Sequence, residues 1–150
     1  MRGHTTADRW LVGQEAVRLL RRRYRRRLLA VGMYGSTARG EDEPYSDVEL
    51  TAFVRGRGAD RRHEGIVRGL KWTVDVTTPD VARRDLTRLD IGWPLVAGIY
   101  AAAGRLYDPS GLYGRLAALY RRSARRSFRR AVRAEFVDHF SERFGKFFNA

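Results

Sequence analysis

The chain has 150 residues, 43% of them hydrophobic, so it can bury one sizeable core or one compact domain plus the start of another, and a multidomain machine is excluded. No cysteine occurs, which rules out disulfides and thiolate-bound zinc and suits a reducing cytosol; any metal must be held by oxygen or imidazole. The formal net charge of +13 favours anionic partners such as nucleotides, nucleic acid or a membrane surface, but nearly all the cations are arginine, Lys71 and Lys146 being the lysines, and a GC-rich genome also gives that bias.

Residues Met1 to Trp10 contain no apolar signal-peptide core, and no stretch approaches the roughly 20 apolar residues of a membrane span. The expectation is a soluble, cytoplasmic protein without membrane association. From Asp8 to Arg27, apolar residues at Trp10, Leu11, Val17, Leu19, Leu20 and Tyr24 predict an amphipathic helix capped by Asp8. Its arginine-rich end, residues 21–27, suits a solvated helix C-terminus, favoured by the dipole, better than a nucleic-acid patch. Leu28–Tyr34 is a continuous apolar run of strand length, and Gly35 to Gly40 reads as a tight turn after it. Ser46–Val54 is the next predicted strand, followed by a polar connection over Arg55–Arg62. Ile66–Val67 and Lys71–Thr77 predict two strands around a turn at Gly69.

Thr78 caps a helix that opens on Pro79 and runs to about Leu89. Trp93 to Ala103 is apolar and alanine-rich, and Gly104 to Gly111 supplies a short strand and a turn. Beyond Gly111 the pattern is helical to the last residue, with a stripe of Phe128, Val132, Phe136, Phe140, Phe144 and Phe147. The expected organisation is an α/β domain over residues 1–110, then residues 111–150 as the truncated start of a helical domain.

The chemistry concentrates between Gly35 and Glu49. Two carboxylates one residue apart on a strand, Asp47 and Glu49, point to the same face, while Val48 and Leu50 face the core. Oxygen ligands of this kind suit Mg²⁺, which keeps some waters and takes its other ligands from substrate phosphates. Acidic and apolar alternation also fits any half-exposed strand, so the pair draws its meaning from the turn upstream. There, backbone N–H groups and the Ser36 hydroxyl can hold a triphosphate, and Arg39 can neutralise a phosphate oxygen. Further along, Asp138, Glu142 and Lys146 are spaced four apart and form one polar stripe of a helix, an arrangement that a solvated helix face shares.

Val31–Arg39 together with Pro44–Glu49 resembles the kanamycin nucleotidyltransferase branch of the polymerase-β-like nucleotidyltransferases, and the likeness continues through Trp93–Leu95, Leu106–Gly111 and the helix holding Gly145 and Lys146. The resemblance implies an α+β fold, a mixed sheet flanked by helices followed by a helical domain. It also implies transfer of AMP from ATP to a hydroxyl of an aminoglycoside, with release of pyrophosphate. Asp47 and Glu49 would bind Mg²⁺, and Gly35, Ser36 and Arg39 the triphosphate. Glu142 falls where the family has its general base, Glu64 and Asp138 would contact the cationic substrate, and Lys146 would meet phosphate. Asp75, an outward-facing acid on the neighbouring strand, is the candidate third carboxylate that other branches of the superfamily use. The kanamycin enzymes share their active site across a dimer, so a homodimer is expected and nucleic acid is not. The second reading is a minimal nucleotidyltransferase of the antitoxin type, which modifies or binds a protein partner, or a catalytically impaired, truncated homologue; a third, a non-catalytic nucleic-acid-binding module built on the basic helix, is opposed by the acidic pair, which repels phosphate when no metal is bound.

Overall fold

The computed structural model describes residues 4–56, 61–90 and 92–126, together with Arg129, Arg133 and Val137. Its first element, helix α1 (Thr6–Tyr24), starts on a capping box in which the Thr5 hydroxyl accepts from the Asp8 amide and the Asp8 carboxylate accepts from the Thr5 amide at 2.8 Å. Asp8 is therefore the reciprocal partner three residues in, and Thr5 the cap. The helix stops at Tyr24 because the chain must turn back into the sheet: Arg25 takes φ 49° and Arg25–Arg27 form a single 3₁₀ turn.

Strand β1 (Leu28–Tyr34) leads into the short helix α2 (Gly35–Arg39). Strand β2 (Val48–Val54) begins two residues later than the sequence pattern suggests. Ser46 is used otherwise, since its amide bonds the Glu43 carbonyl and its hydroxyl accepts from the Glu43 amide. β3 (Arg61–Val67) and β4 (Leu70–Thr77) form a hairpin whose two turn residues, Arg68 and Gly69, have φ 54° and 77°, the conformation that matches strand twist. β3 is an edge strand, largely exposed, so its first five residues lack the apolar alternation that would have announced them.

Thr78 caps α3 (Pro79–Thr87) by accepting from the Val81 amide, and α4 (Trp93–Ala101), β5 (Gly104–Tyr107) and α5 (Leu112–Ala124) follow. Gly111 carries no capping side chain, and Asp108 takes that role at a distance, its carboxylate accepting from the amides of Leu112 at 2.7 Å and Tyr113 at 3.0 Å. The helical continuation predicted to Ala150, with its phenylalanine stripe, lies outside the described residues except for three isolated positions. Among the described residues, no helix is long and apolar enough to cross a membrane.

The sheet is mixed, in the order β3-β4-β2-β1-β5, with β2 and β4 parallel and the other neighbours antiparallel. This is the α+β arrangement expected from sequence, a mixed sheet flanked by helices. Strand alternation sends Val48, Leu50, Ala52 and Val54, with Val31, Met33, Val74 and Val76, to one face, where Val12, Ala16, Val17 and Leu20 of α1 cover them. The opposite face places Ala30 and Phe53 against Ala82, Leu86, Trp93, Ala97, Tyr100, Leu112, Tyr113 and Leu116 of α3, α4 and α5. Each large side chain so buried contributes about 1.5–3 kcal/mol.

Tyr113 locks α5 to the sheet: its ring lies under Gly32 and its hydroxyl donates to the Thr51 carbonyl at 2.9 Å. A Cβ added at Gly32 would sit 2.5 Å from the Tyr113 ring and hydroxyl. Gly32→Ala is therefore expected to destabilise by about 1–3 kcal/mol, the usual cost of overpacking, as read by urea unfolding. A change under 0.5 kcal/mol would show that the helix layer yields easily.

Candidate active site

The open end of the sheet, where β1 finishes and β2 and β4 begin, is where the motif residues gather. Tyr34, the last residue of β1, is extended, and Gly35 switches to φ 73° to start α2. Tyr34 is the cross-strand partner of Glu49, and a Cβ built on Gly35 would overlap Oε2 of Glu49. Glycine is thus required twice at this position, for the positive φ and for the approach of the carboxylate. The segment read from sequence as a tight turn is helix α2, and its first residue lies against the Glu49 carboxylate.

Asp47 immediately precedes β2, two residues before Glu49, and Val48 and Leu50 are fully buried. The Asp47 carboxylate is 47% exposed and stands 3.8 Å from the Lys71 ammonium. Glu49 lines a cleft of about 570 Å³ with Tyr34, Gly35, Ser36 and Arg39 on one side and Pro94, Leu95, Gly98 and Ile99 of α4 on the other, and Asp47, two residues before it, is not among the lining residues. Two carboxylates leave most of a magnesium ion's coordination to water and phosphate, which is how that ion is usually held. The donor set fits. Arg39 is half exposed and its Nε donates to Glu41 at 2.7 Å, a surface pair weak enough to be exchanged for a phosphate oxygen.

What holds the loop ahead of Asp47 was not legible as a motif. Arg9 of α1 is completely buried, with its Nη1 donating to Asp42 Oδ2 and to the His4 carbonyl, its Nε to the Ser46 carbonyl, each at 2.9 Å, and its Nη2 to the Glu43 carbonyl. Asp42 also accepts from the Thr6 hydroxyl at 3.0 Å. One guanidinium therefore ties down both sides of the loop joining α2 to β2. The available signal was an arginine one turn ahead of Val12 and two turns ahead of Ala16 on the apolar side of an amphipathic helix.

The register places Glu64, Thr73, Glu49 and Tyr34 in one row across β3, β4, β2 and β1, and Arg62, Asp75, Thr51 and Gly32 in the next. Glu64 is exposed on the edge strand, on the same face as Glu49. Asp75 is one row beyond Glu49; its Oδ2 accepts from the Tyr34 hydroxyl at 2.9 Å and its Oδ1 is 3.7 Å from Arg62. Among the described residues no group of three or more His, Asp or Glu is placed to hold one metal ion, so Asp75 stands beside the pair Asp47 and Glu49. Burial, then the bond to Asp75 and the nearby charges of Asp75 and Glu49, push the Tyr34 pKa up, so Tyr34 stays a hydrogen-bond donor. Asp138, Glu142 and Lys146 lie outside the described residues.

No family model matches the chain. Two relatives do: an aminoglycoside nucleotidyltransferase (4') of Staphylococcus aureus and one of a Bacillus species, each 27% identical over 120 residues. The matched region is 80% of this chain and 47% of each relative, so the chain spans about half the length of the curated relatives it matches.

Proposed function

The chain is similar to the aminoglycoside nucleotidyltransferases (4'), as its motifs suggested, and from that kinship we propose that it transfers AMP from Mg²⁺-bound ATP to a hydroxyl of an aminoglycoside-like small molecule, releasing pyrophosphate. The observation that supports this reading is the approach of the Glu49 carboxylate to Gly35 at a cleft that Ser36 and Arg39 also line; in this reading Glu49, with Asp47 two residues before it, would hold the metal and the start of α2 would hold phosphate.

Gly35 and Ser36 bind the triphosphate through backbone N–H groups and the Ser36 hydroxyl, and Arg39 leaves Glu41 to offset its charge. Asp47 and Glu49 hold the magnesium ion, which neutralises charge on the phosphate oxygens. The acceptor oxygen forms a bond to the α-phosphorus while the bond to the α–β bridging oxygen breaks, and pyrophosphate leaves with that electron pair. By resemblance Glu142 takes the hydroxyl proton, Lys146 meets phosphate, and Glu64 and Asp138 contact the acceptor. A homodimer in the cytoplasm belongs to the same proposal.

Label from α-labelled ATP should reach an aminoglycoside in the presence of magnesium. Asp47→Asn, which removes a charge aimed at the reacting group, should reduce the rate by about 10²–10³-fold. Glu142→Gln should reduce it by about 10²–10⁴-fold, the range for a lost general base. Transfer that survives both changes would overturn the assignment.

A further inference from the structure

Around the end of the sheet opposite the cleft, arginines gather without acidic partners. Arg22 and Arg23 end α1, Arg25 and Arg26 lie in the 3₁₀ turn after it, and no aspartate or glutamate occurs between Ala16 and Gly40. Strand pairing brings two more from elsewhere in the chain. Arg55 follows β2, its amide donating to the Arg27 carbonyl at 2.8 Å while the Arg27 Nε donates to the Arg55 carbonyl at 2.9 Å. Arg61 opens β3; burial, then the charges of Arg23 and Arg61, lower the His63 pKa, so both guanidinium groups act on one imidazole. These six arginines are exposed, and among the described residues no carboxylate forms an ion pair with any of them.

Elsewhere the same chain pairs its arginines: Arg9, Arg39, Arg62, Arg68, Arg83 and Arg88 each have a carboxylate 2.7–3.7 Å away. A GC-rich genome explains arginine in place of lysine, but it does not clear acids from one end of a fold. The helix dipole favours the arginines of α1 and leaves Arg55 and Arg61, which strands supply, without a reason. Positive charge gathered in this way repels itself and attracts a polyanion. The sequence set these arginines against Asp47 and Glu49, which repel phosphate when no metal is bound. The fold places the turn arginines and the acids at opposite ends of β1, whose seven residues run from Leu28 to Tyr34. That is roughly 20 Å at the rise of an extended strand, beyond the Debye length of about 8 Å in physiological salt, so the acids neither neutralise the cluster nor repel an anion held there.

The chemistry of the surface selects among polyanions. α1 exposes Leu11 and Leu19 but no broad apolar face, which a bilayer interface would require. Tyr24 is buried and Tyr107 lies under the Arg21 guanidinium at 5.3 Å, so neither ring is free for the stacking of unpaired bases on which single-strand binders rely. What is offered is a set of guanidinium groups fixed on a helix end, a tight turn and strand ends, suited to phosphates that are themselves held at regular spacing. We propose that this surface binds the phosphate backbone of a nucleic-acid duplex, irrespective of its sequence. The surface is separate from the cleft and does not depend on the transferase reading.

A fluorescein-labelled DNA duplex of about 20 base pairs, followed by anisotropy between about 50 and 200 mM salt, is the probe. Affinity should fall about 10³-fold over that range, a log–log slope of about −5 for five or six neutralised phosphates. Arg22→Gln, Arg26→Gln and Arg55→Gln together, one from each segment, should make the slope shallower by about 3, and lysine at the same three positions should restore it. Arg83→Gln, Arg84→Gln and Arg88→Gln remove the same charge at α3, on the other face of the sheet, and should leave the slope unchanged. Equal shallowing by the two glutamine sets would show a response to net charge alone and overturn the proposal. Absence of binding at the lowest salt would also overturn it, as would a single strand of equal length bound as tightly as the duplex, or phosphatidylglycerol vesicles bound more tightly.

Discussion

Arg9→Met is expected to lower the unfolding free energy by about 3–5 kcal/mol, the range for breaking a buried ion pair by removing one partner. The loss does not come from size, since methionine fills much of the same channel. It comes from what stays behind: Asp42, 2% exposed, keeps its charge with only the Thr6 hydroxyl as partner, and the carbonyls of His4, Glu43 and Ser46 lose their donor. Arg9→Lys should rescue little, because one ammonium cannot reach acceptors spread over a planar fork. Adding Asp42→Leu to Arg9→Met removes the stranded charge and should recover part of the stability, which separates the electrostatic cost from lost packing. Urea denaturation of the four proteins measures this. A loss below 1 kcal/mol for Arg9→Met would mean that water reaches the loop readily and that Asp47 is not positioned from beneath.

The contrast between Arg9 and the motif explains how far the sequence could be read. β1 and the Val48–Leu50 alternation were legible because each obeys a local rule, a run length or a two-residue period, whereas Gly35 to Gly40, read as a tight turn, folds as the short helix α2 with its C-cap at Gly40. The capping role of Thr78 was legible for the same reason. β3 was shortened in the reading because an edge strand exposed along most of its length has no apolar period, and what defines it is its pairing with β4. Asp75 could be named as a neighbour of the acidic pair, but its place one row beyond Glu49 depends on the parallel register between β2 and β4, which no local pattern encodes. The ties that fix the site are of the same non-local kind: Arg9 to residues 42–46, Tyr34 to Asp75, Lys71 to Asp47, Tyr113 to Thr51.

Gly35→Ala should weaken binding of magnesium-ATP by more than about tenfold, and a built-in control shows why. Gly35 and Gly40, at the two ends of α2, have nearly the same backbone angle, φ 73° and 71°, so alanine at either position carries the same left-handed penalty of about 1–2 kcal/mol. Their surroundings differ. A Cβ at Gly40 meets nothing within 4 Å, whereas one at Gly35 overlaps the Glu49 carboxylate. Gly40→Ala should therefore lose stability and keep ligand affinity. Gly35→Ala should lose at least as much stability and must also push Glu49 or the start of α2 aside, displacing the proposed metal ligand from the amides proposed to bind phosphate. A fall in magnesium-ATP affinity of more than about tenfold, or 1.4 kcal/mol, for Gly35→Ala alone is the expected calorimetric result. Equal affinities in the two variants would mean that Glu49 can rotate away without consequence. In that case the contact between turn and acid would be packing, and the phosphate site would have to be sought elsewhere along the cleft.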